Sequence, residues 1–311
     1  MLILRDPEHL PAVYNSAALA IGNFDGFHVG HQAVIRAMLE RAEAKGLTPA
    51  VLTFEPHPRT FFKKETGPLR IESFSRKARR LRDAGVELLI VGRFNEALAR
   101  QTAEAFVEDI LVKHLRVSEL VTGENFMFGK NRSGDSRFLK EKSRQGLFGY
   151  TAVSSVEAGG IPCSSTSLRQ AIGKGDMHRA AILLGRPYEV GGRVLHGDGR
   201  GKKLGAATAN IKLANIFKPR YGVYAVRFRQ EHEKQWHEGV ANFGIRPTFG
   251  GTEPVLEIHG FDVREDLYGR YFSVQWMEFI REEIAFSSPE ALKNQIAQDI
   301  AKTKQLFLRR I

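Results

Sequence analysis

The chain has 311 residues, 42% hydrophobic and 26% charged, with no low-complexity tract; that describes two globular units and excludes a disordered or fibrous protein. A formal charge of +11 draws anions, so nucleotides, nucleic acid and acidic membranes all suit it, and the densest basic run, RKARRLR at 76–82, reads as a solvated helix face. The lone Cys163 excludes an internal disulfide and a thiolate metal cluster; with no run near the ~20 apolar residues that span a bilayer, the expected place is the cytoplasm, without a membrane partner.

Four short apolar runs, ALAIGNF (18–24), AVLTFEP (50–56), VELLIVGRF (86–94) and SELVTG (118–123), predict buried strands. Helical periodicity fills the gaps. Over 32–46, Val34, Ile35, Met38, Leu39 and Ala42 share a face and Gly46 closes the helix. Over 75–85, Ser75 caps and Gly85 terminates, and over 102–115 Ala105, Phe106, Ile110 and Leu111 turn inward. This alternation predicts a parallel sheet covered on both faces.

After about 186 the rhythm changes to short strands between glycine-rich turns, including YGVYAVRFR, WHEGVANFG, VLEIHGFDV and YFSVQWMEFIRE, which predicts a small antiparallel β-barrel. A terminal helix follows, with Ser288 as cap, Pro289 as first helical residue and an apolar stripe of Leu292, Ile296, Ile300 and Phe307. The units are expected at 1–185 and 186–311.

The segment GNFDGFHVGH (22–31) stands where the first strand gives way to the first helix, the end of a parallel sheet at which ligands bind. Gly22, Gly26 and Gly30 permit close backbone approach, and His28 and His31, one turn apart, can aim ring N–H groups at one anion. Metal binding with His57 as third ligand, or histidines that merely pack, are the competing readings.

GNFDGFHVGH is similar to the His-x-Gly-His signature of nucleotidyltransferases, in the form found in bacterial bifunctional riboflavin kinase/FAD synthetases. TFEPHPRTFF (53–62), TGENFMFGKNRSGD (122–135) and CSSTSLR (163–169) resemble that family's other adenylyltransferase segments, in order. The resemblance implies a Rossmann-like nucleotidyltransferase unit that transfers AMP from ATP to FMN, giving FAD and pyrophosphate without a protein P-loop. His28 and His31 would be catalytic. Gly22, Asn23, Phe24, Asp25 and Gly30, with Ser164, Ser165, Thr166 and Arg169, would bind ATP and its phosphates. Asn125, where family members often carry Asp, would contact flavin.

In the second half, HGDGRGKKLGAATANI (196–211) resembles the riboflavin kinase segment with its Pro-Thr-Ala-Asn signature. That implies ATP phosphates on Arg200, Gly201 and Gly205, and Mg2+ on Thr208 and Asn210. LEIHGFD (256–262) matches the catalytic carboxylate segment, which makes Glu257 the base for the ribityl hydroxyl, and alternation turns Glu257 and His259 to one face. GVANFGIRPTFGG (239–251) resembles the flavin-adjacent loop and brings Arg246 to the flavin. Ala206-Ala207 replaces the family's Phe-Pro before the Thr.

The expected enzyme therefore converts riboflavin through FMN to FAD, with Mg-ATP for both steps, small-molecule substrates and no nucleic-acid partner. Two alternatives are an adenylyltransferase with a weak or inactive kinase, suggested by Ala206-Ala207, and a non-catalytic nucleic-acid-binding protein, suggested by the charge.

Overall fold

A computed structural model describes residues 1–6, 16–62, 68–195, 208–231, 233–245, 254–261 and 268–309. The chain divides into two compact units, Met1–Ser167 and Leu168–Ile311.

The first unit carries β1 (Leu2–Arg5), β2 (Ala17–Ile21), α1 (Val29–Lys45), β3 (Thr48–Glu55), α2 (Pro58–Phe62), α3 (Phe74–Asp83), β4 (Leu88–Arg93) and α4 (Glu96–Arg100). It continues with α5 (Ala103–Ala105), a π-helix (Phe106–His114), β5 (Val117–Gly123), α6 (Ser136–Arg144), β6 (Gly149–Val153) and the small pair β7 (Glu157–Ala158) and β8 (Ile161–Pro162). Six strands form a parallel sheet ordered β1-β4-β3-β2-β5-β6. The order reverses beside β2, which pairs with β3 on one side and β5 on the other, so the loop after β2 lies at the topological switch point. Alternation splits β2 between two cores. Leu19 and Ile21 pack with Leu52, Phe106, Leu111 and Leu120, while Ala18 and Ala20 pack with Ile35, Met38, Leu81 and Val121.

Three local expectations change. Ser73, not Ser75, caps α3 by accepting the Arg76 N–H at 3.4 Å. The basic run on α3 is only in part a solvated face: Arg82 is exposed and Arg79 and Arg80 half-buried, but Arg76 and Lys77 are buried, the Lys77 ammonium being used at the ends of β2 and β3. Over 106–114 the π winding advances more residues per turn than an α-helix, so Phe106, Val107 and Leu111 face the core and Ile110 is only half-buried.

α7 (Ser165–Lys174) crosses into the second unit, which holds α8 (Met177–Leu184), β9 (Tyr188–Leu195), β10 (Thr208–Leu213), β11 (Gly222–Gln230), β12 (His237–Ile245), β13 (Pro254–Gly260), β14 (Tyr271–Arg281) and α9 (Pro289–Leu308). The strands close an antiparallel barrel in the order β10-β13-β12-β11-β14-β9. Trp276, Tyr224 and Phe243 fill its interior in edge-to-face pairs.

Ser288 caps α9 as expected, accepting the Ala291 N–H at 3.1 Å. The expected stripe does not hold throughout. Leu292 is exposed, and the buried face carries Asp299, Thr303 and Phe307, because Arg281 on β14 grips both Asp299 oxygens, Nε to Oδ1 at 3.0 Å and an Nη to Oδ2 at 2.7 Å.

Candidate functional site

The first site grows from the turn between β2 and α1. After Gly22, whose N–H donates to the Leu52 carbonyl at 3.1 Å, the chain turns through positive φ at Phe24 (50°), Gly26 (82°) and Phe27 (40°). Left-handed conformations at two phenylalanines are costly, and burial of both rings holds them. His28 then takes extended φ/ψ as N-cap of α1, its Nδ1 accepting the His31 N–H at 3.3 Å. The two imidazoles stack with centroids 3.6 Å apart and planes 18° apart, and Phe24 meets His31 edge-on at 5.3 Å.

Gly30 leaves room for this stack. A Cβ there would lie 3.2 Å from the His28 ring and 3.2 Å from the Cys163 carbonyl. Beside it burial pushes the Cys163 thiol up, against the Gly30 N–H, which favours thiolate. Asp25 is buried and its Oδ1 accepts the Ile71 N–H at 2.9 Å, while its carbonyl accepts the Ser165 hydroxyl at 3.0 Å, tying the turn to the start of α7. Ser164 caps that helix, its Oγ accepting the Ser167 N–H at 3.0 Å. Thr166 is exposed on the first turn of α7, and Arg169 is buried on the next.

Asn23 is held from behind by a cluster that the motif does not announce. Its carbonyl accepts Lys77 Nζ and Thr53 Oγ1, each at 3.3 Å, and the same Nζ donates to Thr53 Oγ1 at 3.1 Å and Glu55 Oε1 at 3.2 Å. Arg70 pairs with Glu55 from the other side. Burial lowers the Lys77 pKa while the Glu55 carboxylate beside it raises it. The Asn23 Oδ1 is buried without a hydrogen-bond partner among the described residues. Lys77 looked like surface charge in the sequence; its place directly after Arg76, on a helix whose other face is apolar, carried no sign of burial.

Asn125 is exposed in the turn after β5, next to Phe126, which stacks on Phe128 at 5.6 Å. On the sheet face shared with Phe106, a cavity of about 490 Å³ is lined by Leu52, Phe54, Ile90, Leu98 and Ile110, with Arg93 and Gln101 at its polar margin. Among the described residues no group of three or more His, Cys, Asp or Glu side chains is placed to hold a metal, so the reading of His28, His31 and His57 as a metal site finds no support; His57 Nδ1 instead accepts the Arg59 N–H at 3.1 Å.

The second site lies on the barrel. β10 pairs antiparallel with β13 so that Asn210 faces Glu257 and Thr208 faces His259, and β12 brings Asn242 opposite Glu257 from the other side. Leu256 and Ile258 are buried, Glu257 and His259 half-buried, as alternation requires. Asn210 is buried, and its Oδ1 has no partner among the described residues. Burial, then the Lys304 charge, lowers the His259 pKa. Arg200, Gly201, Gly205, Arg246 and the Ala206-Ala207 pair lie outside the described residues, as does the Thr208 side chain.

Comparison with known proteins accords with both halves. The FAD synthetase family matches residues 10–167 and the riboflavin kinase family residues 184–307. A bifunctional riboflavin kinase/FMN adenylyltransferase from Escherichia coli K12 is 40% identical over 308 residues, 99% of this chain and 98% of that one. The protein of the same description from Haemophilus influenzae is 39% identical over 311 residues, covering 99% of each. A crystal structure from Streptococcus pneumoniae, described as a macrolide-efflux protein, superimposes with a TM-score of 0.85 at 29% identity, over 96% of this chain and 97% of that one. It supports the fold; among the described residues here no helix is long and apolar enough to cross a membrane. With one family matched across each half and full-length relatives of both descriptions, the chain belongs to the bifunctional riboflavin kinase/FMN adenylyltransferase family.

Proposed function

We propose that this chain divides the two reactions of its family, ATP-dependent phosphorylation of riboflavin and adenylylation of the resulting FMN, between the two sites just described. At the first, an FMN phosphate oxygen attacks the α-phosphorus of ATP, the bond to the bridging oxygen breaks, and pyrophosphate leaves. The work is orientation and charge neutralisation. His28 and His31 hold phosphate oxygens at the N-terminus of α1, with Gly22, Asn23 and Gly30 leaving the backbone open to them. Phe24 and Asp25 fix the turn's shape. Ser164, Ser165, Thr166 and Arg169 serve the departing β- and γ-phosphates. Asn125 meets the flavin, whose ring system suits the apolar cavity beside Phe54. The observation that carries this reading is the stacked histidine pair capping α1 at the switch point of the sheet.

At the second site Glu257 takes the proton of the riboflavin 5′-hydroxyl as that oxygen attacks the γ-phosphorus and ADP leaves. A magnesium ion suits the neighbouring position, because the buried Asn210 Oδ1 is an oxygen donor lacking a partner among the described residues and Thr208 stands two residues before it on the strand. When bound it supplies Lewis-acid neutralisation of ATP oxygens. Arg200, Gly201 and Gly205 hold phosphates and Arg246 the flavin. We place the functional boundary at 185/186, where Gly185 takes φ 68° to end α8, and the enzyme in the cytoplasm, in keeping with its single free cysteine. Its substrates are small molecules; neither a nucleic acid nor a membrane belongs to the reading.

Supplying riboflavin and FMN separately with Mg-ATP and separating the flavin products tests it. Riboflavin should yield FMN and FAD, and FMN should yield FAD with pyrophosphate. FAD from FMN but no FMN from riboflavin would favour an inactive kinase, which Ala206-Ala207 suggests. Neither product would sink the assignment.

A further inference from the structure

The Lys77 ammonium has three hydrogens and three acceptors, the Asn23 carbonyl, Thr53 Oγ1 and Glu55 Oε1, supplied by the ends of β2 and β3. A lysine so nearly buried is expensive unless paired, and its position is therefore well determined. One of those acceptors belongs to the residue just before the left-handed Phe24, and Thr53 donates to the same carbonyl. Two donors on one carbonyl fix the Asn23–Phe24 peptide plane, and with it the direction in which the Asn23 side chain leaves the backbone. That side chain ends in a buried oxygen to which no described residue offers a hydrogen bond, as expected of an acceptor left for a donor on a ligand.

We propose that Lys77 is a positioning residue for adenylylation: by clamping the Asn23 carbonyl it aims the Asn23 side-chain amide at the substrate, where Nδ2 donates to a phosphate oxygen and Oδ1 accepts from a substrate hydroxyl or amino group. This rests on the reading of the turn after β2 as the phosphate cradle. Lys77 shares the Glu55 carboxylate with Arg70 and spends its ammonium hydrogens on protein acceptors, so the clamp acts through geometry.

The test is a double-mutant cycle on the full chain, following FAD formation from FMN and Mg-ATP. Lys77→Met should lower kcat by about tenfold or more with the ATP KM changed far less, since orientation rather than gross binding is lost. FMN formation from riboflavin should be unchanged. In an Asn23→Ala background the same substitution should lower kcat by less than about twofold, because its target is gone. Equal losses in both backgrounds, or no loss in the first, would overturn the proposal. If Lys77→Met does not fold, Thr53→Val removes one of the two donors to the same carbonyl, and the same cycle applies with a smaller loss. The cradle reading fails separately, if Asn23→Ala and His28→Asn both leave FAD formation intact.

Discussion

His28 and His31 are joined twice, through a bond from the His31 backbone N–H to His28 Nδ1 and through ring stacking at 3.6 Å. An imidazole that accepts at Nδ1 carries its hydrogen on Nε2, so capping the helix also selects which nitrogen is offered to a ligand. On the proposed reading the same residue has a structural and a chemical use, and the two can be separated.

Asparagine caps helices well and alanine does not, so His28→Asn should leave thermal stability nearly unchanged while His28→Ala costs about 1 kcal/mol. Both should reduce FAD formation by about a hundredfold or more, with FMN formation from riboflavin retained. Denaturation curves beside chromatographic flavin assays check this. A His28→Asn enzyme that still makes FAD at the normal rate would leave the imidazole a cap and nothing more.

The kinase half responds in the opposite sense. Glu257→Gln keeps the size and hydrogen-bonding reach of the side chain opposite Asn210 and Asn242 but removes the proposed base, so riboflavin phosphorylation should fall about 10²–10⁴-fold. FAD formation from supplied FMN should be untouched. Asn210→Ala should instead raise the Mg2+ concentration needed for half-maximal kinase rate. A Glu257→Gln enzyme with normal kinase turnover would remove Glu257 from the base role.

Much of this was legible in the chain because it depends on local pattern. The strand and helix alternation before residue 123, the glycine turn between β2 and α1, and the cap of α9 all follow from spacing within a few residues. What escaped depends on distant partners. Lys77 is buried because Asn23, just past β2, and Thr53 and Glu55 on β3 converge on it, and a basic helix segment gives no sign of that. Likewise the face of α9 turns to bury Asp299 because Arg281, eighteen residues earlier, waits on β14. The proposed kinase residues could be named from the sequence but not their mutual placement, since the facing of Asn210 and Glu257 is a matter of barrel register.

Two glycines with similar positive φ should behave differently. At Gly129, φ is 70° and a Cβ would fall 2.7 Å from the Ala103 backbone nitrogen; at Gly146, φ is 82° and nothing lies within 4 Å. Gly146→Ala carries only the left-handed cost, about 1–2 kcal/mol. Gly129→Ala meets both a clash with backbone that cannot step aside and, at ψ 170°, a conformation essentially reserved for glycine, for a total of about 2–6 kcal/mol. It also shifts the segment that includes Phe126 and Phe128, so the FMN KM for adenylylation should rise in that variant and not in Gly146→Ala. Calorimetry and the two KM values decide it; equal stabilities would mean that the segment around Gly129 yields freely.

Stability at alkaline pH should carry the mark of one phenol. Tyr224 is fully buried in the barrel against Trp276 and Phe279, and its hydroxyl donates to the Arg220 carbonyl at 2.6 Å. Burial pushes its pKa well above the ordinary 10, with the Arg220 charge opposing only in part. The folded phenol therefore keeps a proton that the unfolded chain gives up. Its contribution to stability is complete below about pH 10 and is lost as pH climbs from there toward the folded value, by at most about 1.4 kcal/mol per pH unit. Tyr224→Phe removes that slope and also the hydrogen bond, so the variant should be about 1 kcal/mol less stable at pH 7, and the gap should close between pH 10 and 11. Both tryptophans, Trp236 and Trp276, lie in the second unit, so their fluorescence during urea titrations follows this half of the chain. Curves for the two proteins that stay parallel from pH 7 to 11 would show that the Tyr224 proton is not held by the fold.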